Sequence, residues 1–387
     1  MSDNPAPDRE DDQGPAASED GEMRQTPEPD ESSSPPATTP SDDTATGVRT
    51  ENICFEVTIP KDPLRLPVAV AGTLFLPSRG PTPGTAVILA PGHSTPRDAW
   101  DGSPAGFGVA NETTPARALA RAGYAVFTFD RPGIGDTPYE GEGREGGQLD
   151  YEANLKVFGD VVAAVRQGAY RVSDPACPSV IPTGIGFAKI VLGGHSLSTF
   201  MVATYAERKD DVDGLLLTSA HHYGVNGAIA DHVAYCNARH PPSRGFQRYT
   251  CDDDTPPNVH SCEDVFFYSP GARPDVAEAL CARMEVDSAV VFPEAQTVEN
   301  ARFKQELANI GDIPVLLVIG DRDCAFKFGP ECDDATGQEN EIRDWQSSCS
   351  CRFAFYEPPE TGHFWMLHDS VEETNAVILN WLRAGGF

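Results

Sequence analysis

Short apolar runs alternate with amphipathic stretches from Asn52 to the end of the chain. This alternation is typical of an α/β fold in which helices cover both faces of a mainly parallel sheet, because parallel strands need helical crossovers. The apolar runs predict eight strands, at 53–59, 69–76, 86–90, 125–129, 190–193, 214–218, 315–319 and 352–356. The first two are expected to form an antiparallel lead-in to the sheet.

Amphipathic stretches predict four helices, at 115–121, 151–166, 198–208 and 371–383. In the second helix, large side chains recur every three or four residues, at Tyr151, Leu155, Phe158, Val162 and Val165. This spacing puts them on one face, so the helix can pack against the sheet.

The chain divides into four predicted segments. Residues 1–50 are rich in Pro, Ser, Thr, Asp and Glu and contain no aromatic residue. They bury too little surface to offset the entropy of ordering, so we expect a disordered tail, which either tethers the protein, as in exported lipoproteins, or has no role. Residues 51–220 and 301–387 are expected to form the two parts of the α/β core. Residues 221–300 are too long for an ordinary crossover and are expected to form a cap or lid.

The sequence contains ten cysteines and no Cys-x-x-Cys pair. An even count without metal-ligand spacing favours disulfides, with at least one bridge inside 221–298. Disulfides favour an exported protein that is periplasmic, envelope-tethered or secreted. The first residues do not resemble a signal peptide, so a cytoplasmic location stays open as the alternative. No run of 18 apolar residues occurs, and no transmembrane segment is expected.

The formal net charge of the chain is −30. Residues 1–50 contain 13 acidic residues against three arginines, so most of the excess charge lies beyond them. A surface this acidic repels phosphate backbones and anionic lipid headgroups. The charge therefore argues against a nucleic-acid partner and favours a neutral or cationic small-molecule substrate. The oligomeric state does not follow from the sequence.

Residues 189–198 read KIVLGGHSLS, an apolar strand followed by a serine between small residues and then by a helix-compatible stretch. On such a strand-to-helix turn a serine is held with its hydroxyl exposed. The run resembles the nucleophile elbow, Gly-x-Ser-x-Gly, of α/β-hydrolase fold enzymes of the esterase and lipase type, with Ser198 in place of the last glycine. The resemblance implies that Ser196 is the nucleophile of a serine hydrolase.

Residues 87–93 read VILAPGH and resemble the early strand and oxyanion loop of the same family, with Pro91-Gly92 where a His-Gly pair usually stands. The resemblance implies an oxyanion hole made by the backbone N–H groups of His93 and Leu197. The His93 side chain is expected to form a pocket wall. Ser94 repeats the Gly-His-Ser triplet but is followed by Thr95 and a proline, which disfavours a helix there, so it is not expected to be the nucleophile.

Residues 130–137 read DRPGIGDT and resemble a third element of the family, the loop Asp-x-x-Gly-x-Gly-x-Ser/Thr. Its glycines permit a tight turn beside the sheet. Asp130 and Asp136 are therefore expected to be structural and not catalytic.

A predicted strand at 315–319 is followed by two acids, Asp321 and Asp323. In the family the triad acid is the fourth residue of Gly-x-x-Asp, which is Asp323 here. The base lies on the loop after the last strand, where this chain has His363. The order Ser196, Asp323, His363 is the order of an α/β-hydrolase triad. Weaker alternatives for the base are His368, His221 and His222.

Hydrolysis of a carboxylic ester through an acyl-enzyme is the function that this resemblance favours. A peptidase or amidase of the same fold is one alternative, because its triad and oxyanion loop would look alike. A catalytically inactive binding protein of this fold is the other, although such proteins generally lose triad residues. The sequence has no phosphate-binding glycine-rich loop opening a helix and no metal-ligand spacing, so no cofactor and no metal are expected.

Overall fold

The computed structural model describes residues 42–43, 47–102, 113–139, 141–172, 184–248, 261–284, 286–294, 307–328 and 332–387. Most of the predicted tail, 1–50, lies outside the described residues. Within them, no helix is both long enough and apolar enough to cross a membrane.

The strands of the described residues belong to one large and one small sheet. They are β1 (Asp42–Asp43), β2 (Val48–Val57), β3 (Val68–Pro77), β4 (Thr85–Ala90), β5 (Ala125–Phe129), β6 (Arg171–Val172), β7 (Lys189–His195), β8 (Gly214–Thr218), β9 (Phe246–Arg248), β10 (Val286–Ser288), β11 (Pro314–Val318) and β12 (Arg352–Tyr356). The large sheet has the order β1-β2-β3-β5-β4-β7-β8-β11-β12, with β6 beside β2, and β9 pairs with β10.

The large sheet is mainly parallel, as predicted. Strands β5, β4, β7, β8, β11 and β12 run parallel to one another. Strands β2 and β3 form the expected antiparallel lead-in. All eight predicted strands are present, and the described residues add the two-residue strands β1 and β6, so the sheet has ten strands instead of eight. Strands β4, β5, β8 and β11 are buried along their whole length, as strands covered on both faces are.

The helices of the described residues include the four that were predicted. They are α1 (Pro115–Arg121), α2 (Tyr151–Gln167), α3 (Leu197–Arg208), α4 (Gly227–Arg239), α5 (Cys262–Phe266), α6 (Pro274–Arg283), α7 (Val291–Glu294), α8 (Thr336–Ser348) and α9 (Val371–Gly385). Local chemistry sets the ends of α2: the Asp150 side chain accepts a hydrogen bond from the amide of Ala153, and Gly168 ends the helix in the left-handed conformation. Helix α1 packs with α9, and α2 packs with α3.

The start of the ordered sheet differs from the predicted tail boundary. Strand β2 begins at Val48, which pairs with Pro77 and is fully buried. The strand ladder therefore starts inside the segment 1–50. The pairing and burial of this end of β2 come from its neighbour β3, and the composition of residues 1–50 does not reveal them.

All eight cysteines in the described residues are disulfide-bonded. The bridges with both ends described join Cys262 to Cys281, Cys324 to Cys332 and Cys349 to Cys351. The first confirms the prediction of a bridge within 221–298, where it connects α5 to α6.

Candidate active site

Ser196 occupies the sharp turn between β7 and α3. Its backbone has φ 53° and ψ −122°, a conformation that L-residues rarely adopt. The Ser196 amide donates to the carbonyl oxygen of Thr218 at 2.8 Å, which ties the turn to the neighbouring strand β8. A strained backbone of this kind persists only where the surrounding structure holds it. Ser196 itself is only 8% exposed.

The turn is crowded enough to require small residues. A Cβ atom placed on Gly194 would lie 2.4 Å from the carbonyl oxygen of Ser198, so no larger residue fits there. The Ser198 hydroxyl donates to the carbonyl oxygen of Pro91 on the loop after β4. The last position of the motif thus joins the serine turn to the predicted oxyanion loop.

His363 and Asp323 form a buried pair. The Nδ1 atom of His363 lies 3.0 and 3.1 Å from the two carboxylate oxygens of Asp323, and both residues are almost fully buried. The amide of Ala325 donates to Asp323 Oδ1 at 3.1 Å and helps to orient the carboxylate. Asp321 points elsewhere, because its Oδ1 accepts the amide of Thr361 at 2.9 Å. Of the two acids, Asp323 is the one in contact with the histidine.

Ser196 and His363 line the same small cavity, of about 20 Å³. This volume corresponds to one or two water molecules. His93 and Thr95 also line it, and the remaining walls are apolar: Ile229, Phe266, Met284, Phe326 and Phe364. The first three belong to the segment 221–300, so this segment closes the cavity on one side.

The predicted oxyanion donors flank the nucleophile. Leu197 is the first residue of α3, and the first amides of a helix have no partner within it. His93 lies three residues beyond β4. A Cβ atom placed on the preceding Gly92 would come within 3.2 Å of Ser196 Cβ, so a glycine lets the loop approach the serine this closely. Ser94 is buried, but it is not among the residues that line the cavity.

The alternative histidines are engaged in structural contacts. The Nε2 atom of His368 accepts the amides of Gly362 and Tyr268, and burial lowers the pKa of this imidazole to about 4. His221 contacts the carbonyl oxygen of Phe326 through Nε2. His222 contacts the carboxylate of Glu341 through Nδ1.

His195, which precedes the serine, is buried beside the triad histidine, with 4.7 Å between the two ring centroids. Burial holds the pKa of His195 well below its ordinary value, and the nearby His363 acts in the same direction. A neutral ring at this position places no second charge next to the base. Among the described residues, no group of three or more His, Cys, Asp or Glu side chains is arranged to hold a metal ion.

The loop 130–137 has the structural role expected of it. Asp130 accepts the amides of Arg97 and Asp136 and forms a buried ion pair with the Arg97 guanidinium. Burial raises the pKa of Asp130 to about 6 despite that ion pair. A Cβ atom on Gly135, where φ is 56°, would lie 2.5 Å from the Asp130 carboxylate, so only glycine fits.

Sequence reasoning missed two buried charges beside the site, Asp287 on β10 and Arg131 on the loop after β5. They form an ion pair that also contacts His93. Arg131 stands within a motif that was recognised, whereas Asp287 lies in the weakly periodic segment 221–300. No local pattern distinguishes it from the exposed acids there.

Comparison with known proteins places these features in a family. Residues 87–377 match the alpha/beta hydrolase family. No curated protein matches the sequence significantly.

Three solved structures share the fold at low sequence identity. A monoacylglycerol lipase from Paleococcus ferrophilus is 19% identical over 82% of this chain and 99% of its own, with a TM-score of 0.53. A lipase in an open form is 16% identical over 87% of this chain and 98% of its own, with a TM-score of 0.55. The alpha/beta hydrolase GrgF from Penicillium sp. sh18 is 16% identical over the same shares, with a TM-score of 0.53.

Proposed function

Because the chain belongs to the alpha/beta hydrolase family, we propose that it hydrolyses carboxylic esters through an acyl-enzyme formed on Ser196. The observation that carries this proposal is the pairing of His363 with Asp323 beside a cavity that Ser196 also lines. A nucleophile, a base and an oriented acid are the groups that acyl transfer requires.

In the proposed reaction, the Ser196 hydroxyl attacks the carbonyl carbon of the ester while Nε2 of His363 takes its proton. Asp323 accepts a hydrogen bond from Nδ1, which leaves Nε2 as the proton acceptor and stabilises the imidazolium. The imidazolium then returns the proton to the departing alcohol. A water molecule, activated by the same histidine, attacks the acyl-enzyme, and the carboxylic acid leaves.

The amides of His93 and Leu197 are the proposed donors to the oxyanion of the tetrahedral intermediate. Leu197 follows Ser196 at the start of α3, and His93 lines the same cavity as Ser196, which supports this role. Each such donor contributes about 3 to 4 kcal/mol to stabilisation of the transition state.

The proposed substrate is an uncharged ester with an apolar acyl group. The cavity walls support this class, because most of them are aliphatic or aromatic. Burying a charged acyl group among them would cost free energy with no compensating partner. The net charge of −30 further disfavours anionic substrates.

The test compares Ser196→Ala with Ser94→Ala on an activated ester. We expect the first variant to lose hydrolysis and fluorophosphonate labelling, and the second to retain most of both. Labelling at any residue other than Ser196 would contradict the proposal. A panel of acyl chain lengths, assayed beside dipeptide amides, separates an esterase from a peptidase of the same fold.

We also propose that the protein works in an oxidising compartment. Its paired cysteines support this location, because disulfides persist where thiols are not kept reduced. Ten alkylatable thiols in active protein would contradict it.

A further inference from the structure

A buried carboxylate of the segment 221–300 contacts the loop that carries the proposed oxyanion donor. Asp287 Oδ2 lies 2.8 Å from His93 Nδ1 and accepts the amide of Ser94 at 2.9 Å. It also accepts a hydrogen bond from Nη2 of Arg131. One carboxylate oxygen on β10 therefore receives donors from two separate loops of the sheet.

Arg131 holds the other side of the same loop. Its Nη2 atom donates to the carbonyl oxygen of Gly92 at 3.1 Å, and its side chain is only 1% exposed. Burial raises the pKa of Asp287, but the charge of Arg131 and the contact with His93 outweigh this effect, so the pKa lies well below its ordinary value. The carboxylate is charged, and it compensates a guanidinium that would otherwise be buried without a counter-charge.

These contacts bracket the His93 amide. Arg131 holds the carbonyl group of Gly92, which precedes this amide. Asp287 contacts both the side chain of His93 and the amide of Ser94, which follows it. Ser94 has φ 53°, a conformation that costs a non-glycine residue about 1 to 3 kcal/mol and needs such support. Arg131 and Asp287 together thus restrain the loop on both sides of the His93 amide.

We propose, on the basis of the function proposed above, that Asp287 is a positioning residue that aims the His93 amide at the oxyanion. The segment 221–300 thereby acts as a cap in two ways. It closes the cavity with Ile229, Phe266 and Met284, and through Asp287 it completes the oxyanion hole. Catalytic competence then requires this cap to be docked on the sheet.

The cavity volume supports this coupling. A space of about 20 Å³ holds water but no acyl group, so a substrate enters only when some of the walls move, and three of these walls belong to the cap. A carboxylate on the cap that also holds the oxyanion loop restores the loop geometry each time the cap closes. Open enzyme would bind an ester without stabilising its transition state.

The test is Asp287→Asn, which keeps the shape of the side chain and removes its charge. We expect kcat for an activated ester to fall ten- to a hundredfold with KM changed less than threefold, since a misaligned oxyanion donor weakens only transition-state binding. Arg283→Gln is the matched control. Arg283 of α6 forms an ion pair with Asp98, on the 3-10 helix that follows residues 92–94, so its loss weakens a cap-to-core contact other than those made by residues 92–94 themselves.

A merely structural role for Asp287 predicts that both variants lower the melting temperature and leave kcat near wild type. That result would overturn the proposal. The failure of the proposed function is recognised separately, because Ser196→Ala would then retain activity.

A second pair of variants decides the question if Asp287→Asn does not fold. The side-chain nitrogen of an asparagine at position 93 falls close to the place of His93 Nδ1, so His93→Asn can keep a polar contact with the Asp287 carboxylate, whereas His93→Ala cannot. We expect the kcat of His93→Asn to stay within about tenfold of wild type. The kcat of His93→Ala should be at least about ten times lower than that of His93→Asn. Equal kcat values for the two variants would refute the positioning role.

Discussion

Asp321 and Asp323 stand two positions apart, yet their carboxylates have different partners. Asp323 contacts the imidazole of His363, whereas Asp321 accepts a backbone amide from Thr361 on the loop that carries that histidine. One residue orients the proposed base directly, and the other supports its loop. An asparagine can still accept a hydrogen bond through its amide oxygen, so the two positions respond differently to the same substitution.

We expect Asp323→Asn to lower kcat by about 10⁴-fold, because an amide cannot enforce the same tautomer or stabilise the imidazolium. Asp321→Asn should cost less than about tenfold, since its amide oxygen can still accept from Thr361. Ester kinetics with matched circular dichroism spectra check both variants. A larger loss in Asp321→Asn would mean that the acid has been misassigned.

At the scale of elements, the segment 221–300 differs from the core. Apart from α4 and α6, its described elements have only three to five residues, and the bridge between Cys262 and Cys281 links α5 to α6 across 19 residues. The bridge between Cys349 and Cys351 closes only two residues. In the chain-entropy account, stabilisation grows with the length of the closed loop, so the two bridges should contribute unequally.

We expect the double substitution Cys262→Ser with Cys281→Ser to lower the free energy of unfolding by about 3 kcal/mol. The control, Cys349→Ser with Cys351→Ser, should lower it by much less, because so short a loop restricts the unfolded chain very little. Urea denaturation followed by fluorescence measures both. Equal losses would contradict the entropic explanation.

The N-terminal boundary offers a second prediction at this scale. Deletion of residues 1–41 should leave ester hydrolysis and the melting temperature unchanged, because this segment lacks core-forming residues. Deletion of 1–50 should lower the melting temperature by several degrees, since it removes β1 and the first three residues of β2, including buried Val48. Equal melting temperatures for the two truncated proteins would show that this end of β2 contributes nothing to stability.

For the whole molecule, buried histidines make stability depend on pH. Burial lowers the pKa of His93, His195, His221 and His368, the last to about 4. In the unfolded chain each titrates near 6.5. Unfolding therefore takes up protons below that pH, and the stability that is fully present above pH 6.5 is lost as the pH falls towards 4. Asp130, whose pKa is raised by burial to about 6, and Asp101, whose pKa burial also raises, act in the opposite direction, but they are two groups against four.

We expect the melting temperature to fall steadily between pH 6.5 and 4.5. Each buried histidine contributes up to about 1.4 kcal/mol per pH unit in this window. His368→Gln should melt lower at pH 7.5 and show a shallower slope, because one of these histidines is gone. Thermal melts at fixed ionic strength measure both quantities, and a flat profile for the wild type would show that the histidines are not shielded from protonation.

Much of the fold and the serine turn can be predicted from the sequence, because the sequence patterns that indicate them are local. Burial on both faces makes β4, β8 and β11 continuous apolar runs, which can be read without knowing their neighbours. Ser196 stands out because a strained turn demands small residues within two positions of it. Helix α8 was not predicted because most of its residues are polar. It is held in place by the tertiary contacts of a few of its own residues, such as the buried Trp345.

The tertiary structure alone decided which distant groups meet. The family resemblance favoured Asp323 over Asp321, but only the path of the loop to His363 brings the Asp323 carboxylate to the imidazole and leaves Asp321 on the Thr361 amide. Asp287 lies more than 150 positions from Arg131 and almost 200 from His93, so no periodicity or spacing connects them. A buried charge is specified by the partner that the fold brings to it, and that partner becomes known only when the whole chain has packed.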